Sequence, residues 1–400
     1  METDGIEQRR RTAVAMALQM QHKNNEQEQQ LLPGIPDEVT LKRISPKVPW
    51  KDLQILSAVS RGWRQSIQSR LVYDSRVRAS STETLVLHSR DHCKLGNPRL
   101  ALYSVKDERC YELPPIPGVS NEVGIPLGCQ CIALNGKVYV LGGFGGLDFP
   151  SKGKEVYVLD MAMAGQWKRC ASMKSGRSDF ACGAKDGKIY VFGGFFLGGC
   201  VSGSEVYNRE KNSWSSILPM ASLRDFHDVT SLGEKLFVHG GSCYMPRDAG
   251  LANQSEFSSF SEIYDPVNDA WTVVGPSHLY GPGALFEAQG KPHWMNGLGI
   301  HAYDNGSWKY VHSNSFPIHG MGPKFGPVTF SPVAVCGVDS ELFVSAFCYS
   351  KSDRSLSGVC LLQSEGFGGK DRELFWQVVT KCYGRTVGCP LVNYVCTIHL

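Results

Sequence analysis

The sequence predicts a mainly β protein, namely a six-bladed β-propeller preceded by a small helical module. An apolar run ending in a glycine pair recurs at intervals near 50 residues, which is the signature of a repeat fold. The chain of 400 residues contains 43 glycines and 10% aromatic residues, a composition typical of many turns packed by large side chains. Before the repeats, between residues 31 and 80, apolar residues instead follow a helical spacing.

The first 30 residues form a polar segment with six glutamines and the tract NNEQEQQ. Such a segment lacks the apolar surface needed to offset the entropy lost on ordering, so we predict a disordered arm over residues 1–30. Its arginine run, Arg9 to Arg11, is read either as a nuclear import signal or as ordinary solvated surface.

Residues 31–80 predict the helical module. Acidic residues directly after Pro36 favour a helix start there, and Pro46 and Pro49 separate that helix from the next. The second part carries apolar residues at steps of three and four, which is the pattern of one helix face. These residues are Leu53, Leu56, Val59, Trp63 and Ile67.

From residue 81 onward the repeats predict the propeller. The clearest copies are KVYVLGG from Lys137, KIYVFGG from Lys188 and KLFVHGG from Lys235, with weaker copies at Lys291 and Glu341. The dipeptides Asn135-Gly136 and Asp186-Gly187 precede two of these runs and predict type I′ hairpin turns, so two antiparallel strands meet there.

The second half of each repeat supplies two further strands. A Glu-x-Tyr strand follows the glycine pair, beginning at Glu155, Glu205 and Glu262, and a tryptophan follows in turn at Trp167, Trp214 and Trp271. Counting final strands, with Tyr111 in the first and Trp308 and Trp376 in the last two, gives six blades. The spare strand Leu391–His399 is expected to pair with the first blade and to close the ring, which removes exposed sheet edges.

These motifs carry two resemblances. The glycine pair, tyrosine and tryptophan at this period resemble the kelch repeat, over residues 81–400. The helical stretch resembles an F-box, in which Ile35, Pro36, Asp37 and Glu38 match the start of the family pattern and Val48-Pro49, Leu53, Leu56, Val59 and Trp63 match its later positions. Ser60 replaces the usual cysteine, and Ser45-Pro46 interrupts a segment that is usually more helical. The order of the two modules is similar to that of the plant F-box/kelch-repeat family.

The resemblance implies a non-catalytic substrate receptor of a Skp–cullin–F-box ubiquitin ligase. The F-box would bind a Skp-family adaptor, and through it a cullin, while the propeller holds an unidentified target protein for ubiquitination by proximity. The adaptor-binding residues are then expected to be Ile35, Pro36, Leu53, Leu56, Val59 and Trp63. Residues 31–80 hold nine Lys/Arg against four Asp/Glu, so nine minus four gives a local charge of +5 that favours an acidic partner.

Target binding is expected on the loops of the propeller, because loops vary while the strands repeat. The loops after the glycine pairs and the linkers between blades contain the aromatic and arginine residues that interfaces favour. The candidates are Phe144, Phe149, Arg177, Phe195, Phe196, Arg224, Tyr244 and Arg247. Arg177 and Arg224 have the equal alternative of holding neighbouring blades together.

Composition limits the other function classes. The net charge of +3 disfavours a nucleic-acid binder, and the sequence offers no apolar run long enough for a membrane span and no secretion signal. Fourteen cysteines without zinc spacing favour a reducing compartment, in the cytoplasm or nucleus, with no metal and no cofactor expected. The segment GFGGK at Gly366 is read as a surface loop and the recurring glutamates as contacts between blades.

Three alternatives stay open. The helical stripe could cap the propeller without binding an adaptor, or the propeller could be an enzyme, such as a copper oxidase or an epimerase. The third alternative is a scaffold or interaction protein outside the ubiquitin pathway.

Overall fold

The structure of the protein, a computed structural model, describes eighteen stretches of the chain. They are residues 30–91, 98–119, 124–144, 153–161, 165–196, 199–201, 203–243, 256–257, 260–276, 278–279, 283–296, 299–313, 318–319, 328–338, 341–350, 356–365, 375–381 and 395–400. The chain divides into two compact units, one of residues 1–83, 160–165 and 399–400 and the other of residues 84–159 and 166–398. The predicted boundaries at residues 30 and 80 stay predictions, and the arm lies outside the described residues except for Gln30.

The first unit is helical. Its elements are α1 (Asp37–Val39), a π turn (Thr40–Ile44), two 3₁₀ turns (Ser45–Lys47 and Trp50–Asp52), α2 (Leu53–Val59), α3 (Arg61–Gln68) and α4 (Leu71–Arg78). Pro36 is the N-cap residue of α1, as the acidic start predicted. The regular helix ends before Pro46, which lacks the amide hydrogen that a continuing helix needs, so the predicted break there is confirmed.

Within the described residues, the second unit contains six blade sheets and one small two-stranded sheet, and the predicted six-bladed propeller is confirmed. The four main strands of each of blades 2 to 6 follow one another in chain order across the sheet. Blade 1 contains β1 (Thr84–Asp91), β2 (Pro98–Ser104) and β3 (Arg109–Glu112); blade 2 contains β4 (Gln130–Leu134), β5 (Lys137–Leu141), β6 (Val156–Asp160) and β7 (Lys168–Arg169). Blade 3 contains β8 (Ala181–Lys185), β9 (Lys188–Phe192), β12 (Ser204–Asn208) and β13 (Ser213–Ile217), and β10 (Phe195–Phe196) pairs with β11 (Gly199–Cys200) in a separate sheet.

The later blades carry longer strands and two additions. Blade 4 contains β14 (Asp225–Leu232), β15 (Lys235–Cys243), β17 (Phe260–Asp265) and β18 (Ala270–Pro276), with β16 (Glu256–Phe257) beside β15; blade 5 contains β19 (Gly283–Ala288), β20 (Lys291–Asn296), β21 (Gly299–Asp304) and β22 (Ser307–Ser313). Blade 6 contains β24 (Val328–Val338), β25 (Glu341–Ser350), β26 (Leu356–Glu365) and β27 (Phe375–Lys381), and β23 (Ile318–His319) joins it parallel to β27.

The C-terminal strand closes the ring. The strand β28 (Val395–His399) pairs with β1, so that the sheet of blade 1 has the order β28, β1, β2, β3. Blade 1 therefore obtains its fourth strand from the end of the chain, as predicted. Closure of this kind pairs an edge that would otherwise present free amide and carbonyl groups to other molecules.

The hairpin turns adopt the predicted backbone. Asn135 and Gly136 have φ of 51° and 68°, and Asp186 and Gly187 have 50° and 70°. Positive φ at both central residues is what a type I′ turn requires. Gly142, in the first glycine pair, has φ of 64°, and a Cβ there would lie 2.5 Å from the carbonyl oxygen of Arg177. The glycine pair is therefore a site of close backbone approach, not a phosphate-binding loop.

The core lies between neighbouring blades. One buried cluster joins blades 2 and 3 and includes Leu141, Phe180 and Tyr207, and a second joins blades 3 and 4 and includes Phe192, Val238 and Tyr264. The tyrosines of the second and third Glu-x-Tyr strands, Tyr207 and Tyr264, thus pack inside the propeller. Burial of such rings supplies much of the stability of a propeller blade.

Candidate functional site

The helical unit uses most of the predicted apolar stripe as its own core. Leu53 and Trp63 are buried, together with Leu31, Ile67 and Val72, and Leu56 packs partly against this cluster. The prediction that Leu53 and Trp63 contact an adaptor is therefore corrected, because their side chains are already covered within the unit. A helical stripe marks a face that is buried, and a module this small needs that face for itself.

The apolar side chains that remain exposed lie elsewhere on α2. Val59, one of the predicted adaptor residues, is 66% exposed, and Ile55 is 64% exposed. Residues four apart lie on one face of a helix, so the two form a small apolar surface, here called the α2 patch. Ile55 was missed because it falls outside the stripe, and the i, i+4 spacing to Val59 was the available signal.

The first predicted motif forms the entry to the module. Ile35 is half-buried, and its amide donates to the carbonyl of Leu32 at 3.0 Å, while Pro36 is exposed. The Asp37 carboxylate accepts a hydrogen bond from the Leu31 amide at 2.8 Å, which fixes the chain before α1. Pro36 is thus available to a partner, and Ile35 is partly so.

Ser60, the residue in place of the usual cysteine, caps α3. Its backbone is extended, with φ of −150°, and its hydroxyl accepts a hydrogen bond from the Trp63 amide at 3.2 Å. Serine is a favoured N-cap, typically worth about 1 kcal/mol relative to alanine. The departure from the family pattern is therefore compatible with a well-formed α2–α3 corner.

A basic side chain borders the α2 patch. Arg64 is exposed, and its guanidinium donates to the carbonyl of Ser57 at 3.1 Å, between Ile55 and Val59 in the sequence of α2. Arg61, at the start of α3, is also exposed. The patch therefore offers apolar contact with positive charge beside it, which suits a partner that is apolar and acidic.

In the propeller, Arg177 and Arg224 are structural, and the prediction that they contact a target is corrected. Both side chains are 0% exposed. The guanidinium of Arg177 donates to the Gly193 and Gly203 carbonyls, both at 2.8 Å, and to Glu205 at 2.7 Å. All three acceptors belong to blade 3 or its loop, so the linker arginine is held by the blade that follows it.

Arg224 repeats this arrangement one blade later. It donates to the carbonyls of Gly240 at 3.2 Å and Phe260 at 3.0 Å, and to the Glu262 carboxylate at 2.5 Å. Its own carbonyl accepts from Gly194 of the preceding blade at 3.0 Å, as that of Arg177 accepts from Gly143 at 2.9 Å. Each arginine therefore joins two blades, which is the alternative that the sequence left open.

The recurring glutamates and tryptophans complete these joints. Glu205 also accepts from the amides of Lys174 at 2.7 Å and Ser175 at 3.0 Å, so it holds the linker as predicted and is not part of a metal ring. The indole groups then donate to linker carbonyls: Trp167 to Pro114 at 2.8 Å, Trp214 to Ala171 and Trp271 to Leu218, both at 2.9 Å.

Three predicted target residues come together on one side of blades 2 and 3. Phe144 and Phe196 stack, with ring centroids 6.1 Å apart and planes at 10°, and Phe195 forms a β-bridge with Ser178. All three are half-buried. Phe149, Tyr244, Arg247 and the loop at Gly366 lie outside the described residues.

Sequence reasoning missed three residues beside these phenylalanines. Leu127 forms a β-bridge with Phe144 and is 38% exposed, and Phe226 is 48% exposed. The Asp179 amide donates to the Gly128 carbonyl, and the Phe226 amide donates to the Asp179 carbonyl, both at 2.8 Å. Asp179 and Phe226 each lie two residues after a linker arginine. This repeated position after the arginine is the sequence feature that could have identified both residues.

The pKa of the Asp179 carboxyl is raised, mainly because burial disfavours its charged form, with a smaller effect from Asp225. At Asp228, on β14, burial raises the pKa of the carboxyl to about 6, against the lowering effect of two backbone amides. Burial also raises the pKa of the Cys182, Cys336 and Cys396 thiols, so these groups are neutral.

Within the described part of the chain, no three or more His, Cys, Asp and Glu side chains are grouped closely enough to hold a metal ion. Among the helices that the structure describes, none is both long and apolar enough to cross a membrane.

Comparison with known proteins identifies relatives of the whole arrangement. A family model described as the Kelch motif matches residues 126–174 and 176–221. The Arabidopsis thaliana F-box/kelch-repeat protein SKIP30 is 31% identical over 379 residues, which cover 90% of this chain and 96% of that protein.

Two further Arabidopsis thaliana relatives match over a shorter stretch. The F-box/kelch-repeat proteins At2g44130 and SKIP20 are 29% and 27% identical, and each match covers 61% of this chain. The matches span 65% and 66% of those two proteins. Among solved structures, one titled "Structure of YjhT" aligns with a TM-score of 0.45 at 16% identity, over 66% of this chain and 99% of its own.

Proposed function

This chain belongs to the F-box/kelch-repeat family, and from that premise we propose that it is the target-selecting subunit of a Skp–cullin–F-box ubiquitin ligase. The helical unit binds a Skp-family adaptor, and the propeller binds the protein to be ubiquitinated. No catalytic group is required of this chain, because holding a target near a charged ubiquitin carrier raises the effective concentration of its lysines.

The observation that carries the proposal is the α2 patch. Ile55 and Val59 are exposed on one face of a helix whose opposite face is buried in the unit's core. Exposed aliphatic residues grouped in this way are expected at a partner site. The basic residues beside the patch would steer an acidic adaptor toward it.

The test is co-purification of the full chain with a purified Skp-family adaptor. Val59→Asp and Ile55→Asp place a charge in the patch without entering the core, so we expect adaptor affinity to fall by about tenfold or more. These substitutions are better probes than changes at Leu53 or Trp63, since those would remove core packing and could unfold the unit.

The matched control is Val267→Asp, which makes the same change at a valine that is 85% exposed in the turn between β17 and β18. This variant should bind the adaptor like the wild type. Undiminished binding of a folded Val59→Asp, Ile55→Asp double variant, or no binding by the wild type, would contradict the proposal.

A ubiquitin ligase subunit would act in the cytoplasm or nucleus. Eight described cysteines are free thiols, which suits a reducing compartment.

A further inference from the structure

A cavity of about 380 Å³ runs between the innermost strands of the propeller. It is lined by residues of β4, β8, β14, β19 and β24 and by Cys396 of β28, so every blade contributes to it. This volume lies at the lower end of the range found for ligand pockets.

The cavity is acidic. Its described lining includes the carboxyl groups of Asp179, Asp228 and Glu287, and it includes no lysine or arginine. The histidine in the lining, His227, is held neutral because burial and Arg224 lower its pKa. The described walls therefore carry negative charge at neutral pH and no positive charge.

The carboxylates of Asp179 and Asp228 have no basic partner among the residues that the structure describes. Asp228 accepts from the amides of Val229 at 2.8 Å and Leu285 at 3.0 Å. Asp179 interacts with the hydroxyl of Ser178 and is repelled by Asp225. A partly buried carboxylate without a counter-charge attracts a cation strongly, because little water screens it.

Apolar residues lie beside Asp179. Phe226 lines the cavity and donates its amide to the Asp179 carbonyl, and Leu127 precedes Gly128, whose carbonyl accepts from the Asp179 amide. Phe144 forms a bridge with Leu127 and stacks on Phe196. We call these four residues the channel rim. Phe226 has φ of 50°, a conformation that bulky residues rarely adopt, yet its ring is partly exposed instead of being packed in the core.

We propose that the channel rim receives an arginine of the target protein, carried on a segment with apolar residues on either side. The guanidinium would pair with Asp179 and lie against the ring of Phe226, while the neighbouring apolar residues cover Leu127 and the Phe144–Phe196 stack. This inference rests on the proposed function, because it names the class of target that the propeller selects.

The same observations disfavour a negatively charged target segment. An acidic or phosphorylated segment needs exposed arginines, but Arg177 and Arg224 are buried and paired with glutamates. Such a segment would meet Asp179 and Asp228 instead. Placing like charges together in a partly buried site is strongly unfavourable in other interfaces and would exclude that class of target.

The experiment uses the full chain and an oriented library of seven-residue peptides, whose central position is fixed in turn as each amino acid. We expect arginine at the centre to bind about tenfold or more tightly than glutamate or serine, with apolar residues enriched at the flanking positions. The preference should weaken as the salt concentration rises.

Two variants and a control locate the site. Asp179→Asn keeps a residue that tolerates positive φ, and Phe226→Gly removes the ring while relaxing the backbone, so both should fold with the wild-type thermal transition. Each should reduce the arginine preference by about tenfold. Glu210→Gln, at an exposed turn in blade 3, removes a carboxylate elsewhere and should leave the preference unchanged.

A preference for acidic centres, no preference at all, or an arginine preference that survives in both folded variants would overturn the inference. Equal binding of free argininamide and of the arginine peptides would show that the apolar rim takes no part, and would overturn it as well. Adaptor binding is a separate measurement, so loss of the proposed ligase role and loss of this target class can be told apart.

Discussion

Blades 3 and 4 are joined to the linkers before them by buried ion pairs, whereas blade 5 has a histidine, His301, in place of the paired glutamate. Arg177–Glu205 and Arg224–Glu262 are 2.7 and 2.5 Å long. In blade 5, Tyr303 and Trp308 lie 4.6 and 5.8 Å from the ring of Phe237 in blade 4. Tyr264 and Trp271 of blade 4 lie at 5.7 and 5.2 Å from the ring of Phe192 in blade 3, so the two joints share aromatic packing and differ in the ion pair.

The two kinds of joint differ in how completely their polar groups are satisfied. Trp271 of blade 4 donates its indole N–H to a linker carbonyl, while the indole nitrogens of Trp294 and Trp308 in blade 5 are buried without a hydrogen-bond partner. His301 occupies the position where blades 3 and 4 have glutamate. The ion pair fixes one geometry in addition to the aromatic packing, and the joint of blade 5, called here the aromatic joint, relies on packing area.

The largest expected effect comes from breaking one ion-paired joint. Arg224→Ala leaves Glu262 buried without its cation and removes two bonds to backbone carbonyls. We expect the free energy of unfolding to fall by about 3–5 kcal/mol, measured by urea denaturation.

The double variant Arg224→Met, Glu262→Met imitates an apolar joint at the same place. It removes both charges together but leaves the backbone groups that bonded to Arg224 and Glu262 without these partners, so we expect it to recover part of the loss. A double variant no more stable than Arg224→Ala would mean that the bonds from the pair to the backbone, and not the avoidance of an unpaired charge, hold the linker.

The repeat pattern made most of the propeller predictable. Asn135-Gly136 and the spacing of Glu205, Tyr207 and Trp214 predict turns and strands from local rules, because backbone requirements and strand periodicity are properties of neighbouring residues. Closure by β28 was predictable since a ring with an unpaired edge is unfavourable.

The functional surfaces were harder to predict because exposure depends on tertiary packing. Trp63 and Val59 share one helical stripe in the sequence, yet one is buried and the other exposed, since the stripe turns at Ser60 between two helices. Arg177 looks like a surface arginine until its partner Glu205, 28 residues away, is placed beside it. Long-range pairing of this kind leaves no local signal.

A second prediction concerns pH and the aromatic joint. His239 of blade 4 is buried against Trp294 and Trp308, both with ring centroids 4.8 Å away, and burial lowers its pKa to about 3. A histidine whose folded pKa lies below its unfolded value of about 6.5 must remain neutral in the native state, so stability falls as the pH drops below 6.5. Between pH 7 and pH 5, the shifted pKa of His239 lowers the free energy of unfolding by about 2 kcal/mol.

His239→Asn removes the titration while keeping a polar atom near Ser261, whose hydroxyl lies 2.9 Å from Nδ1 of the histidine. The loss of unfolding free energy between pH 7 and pH 5, measured by denaturation at both values, should be smaller by about 2 kcal/mol in the variant. Asp228, whose raised pKa gives the opposite slope, is present in both proteins and cancels in this difference. An unchanged difference would show that protonated His239 is accommodated in the joint.

The smallest effect is expected from a direct comparison of Trp271 with Trp308. Trp271→Phe removes a hydrogen bond of 2.9 Å to the Leu218 carbonyl together with part of the ring, whereas Trp308→Phe removes the same atoms but no hydrogen bond. Because loss of a hydrogen bond costs about 1 kcal/mol and removal of an unpaired buried N–H relieves a penalty, Trp271→Phe should be the more destabilising by about 1 kcal/mol or more. Urea denaturation of both variants measures this difference. Equal losses would mean that packing area, and not satisfaction of the indole N–H, determines the strength of both joints.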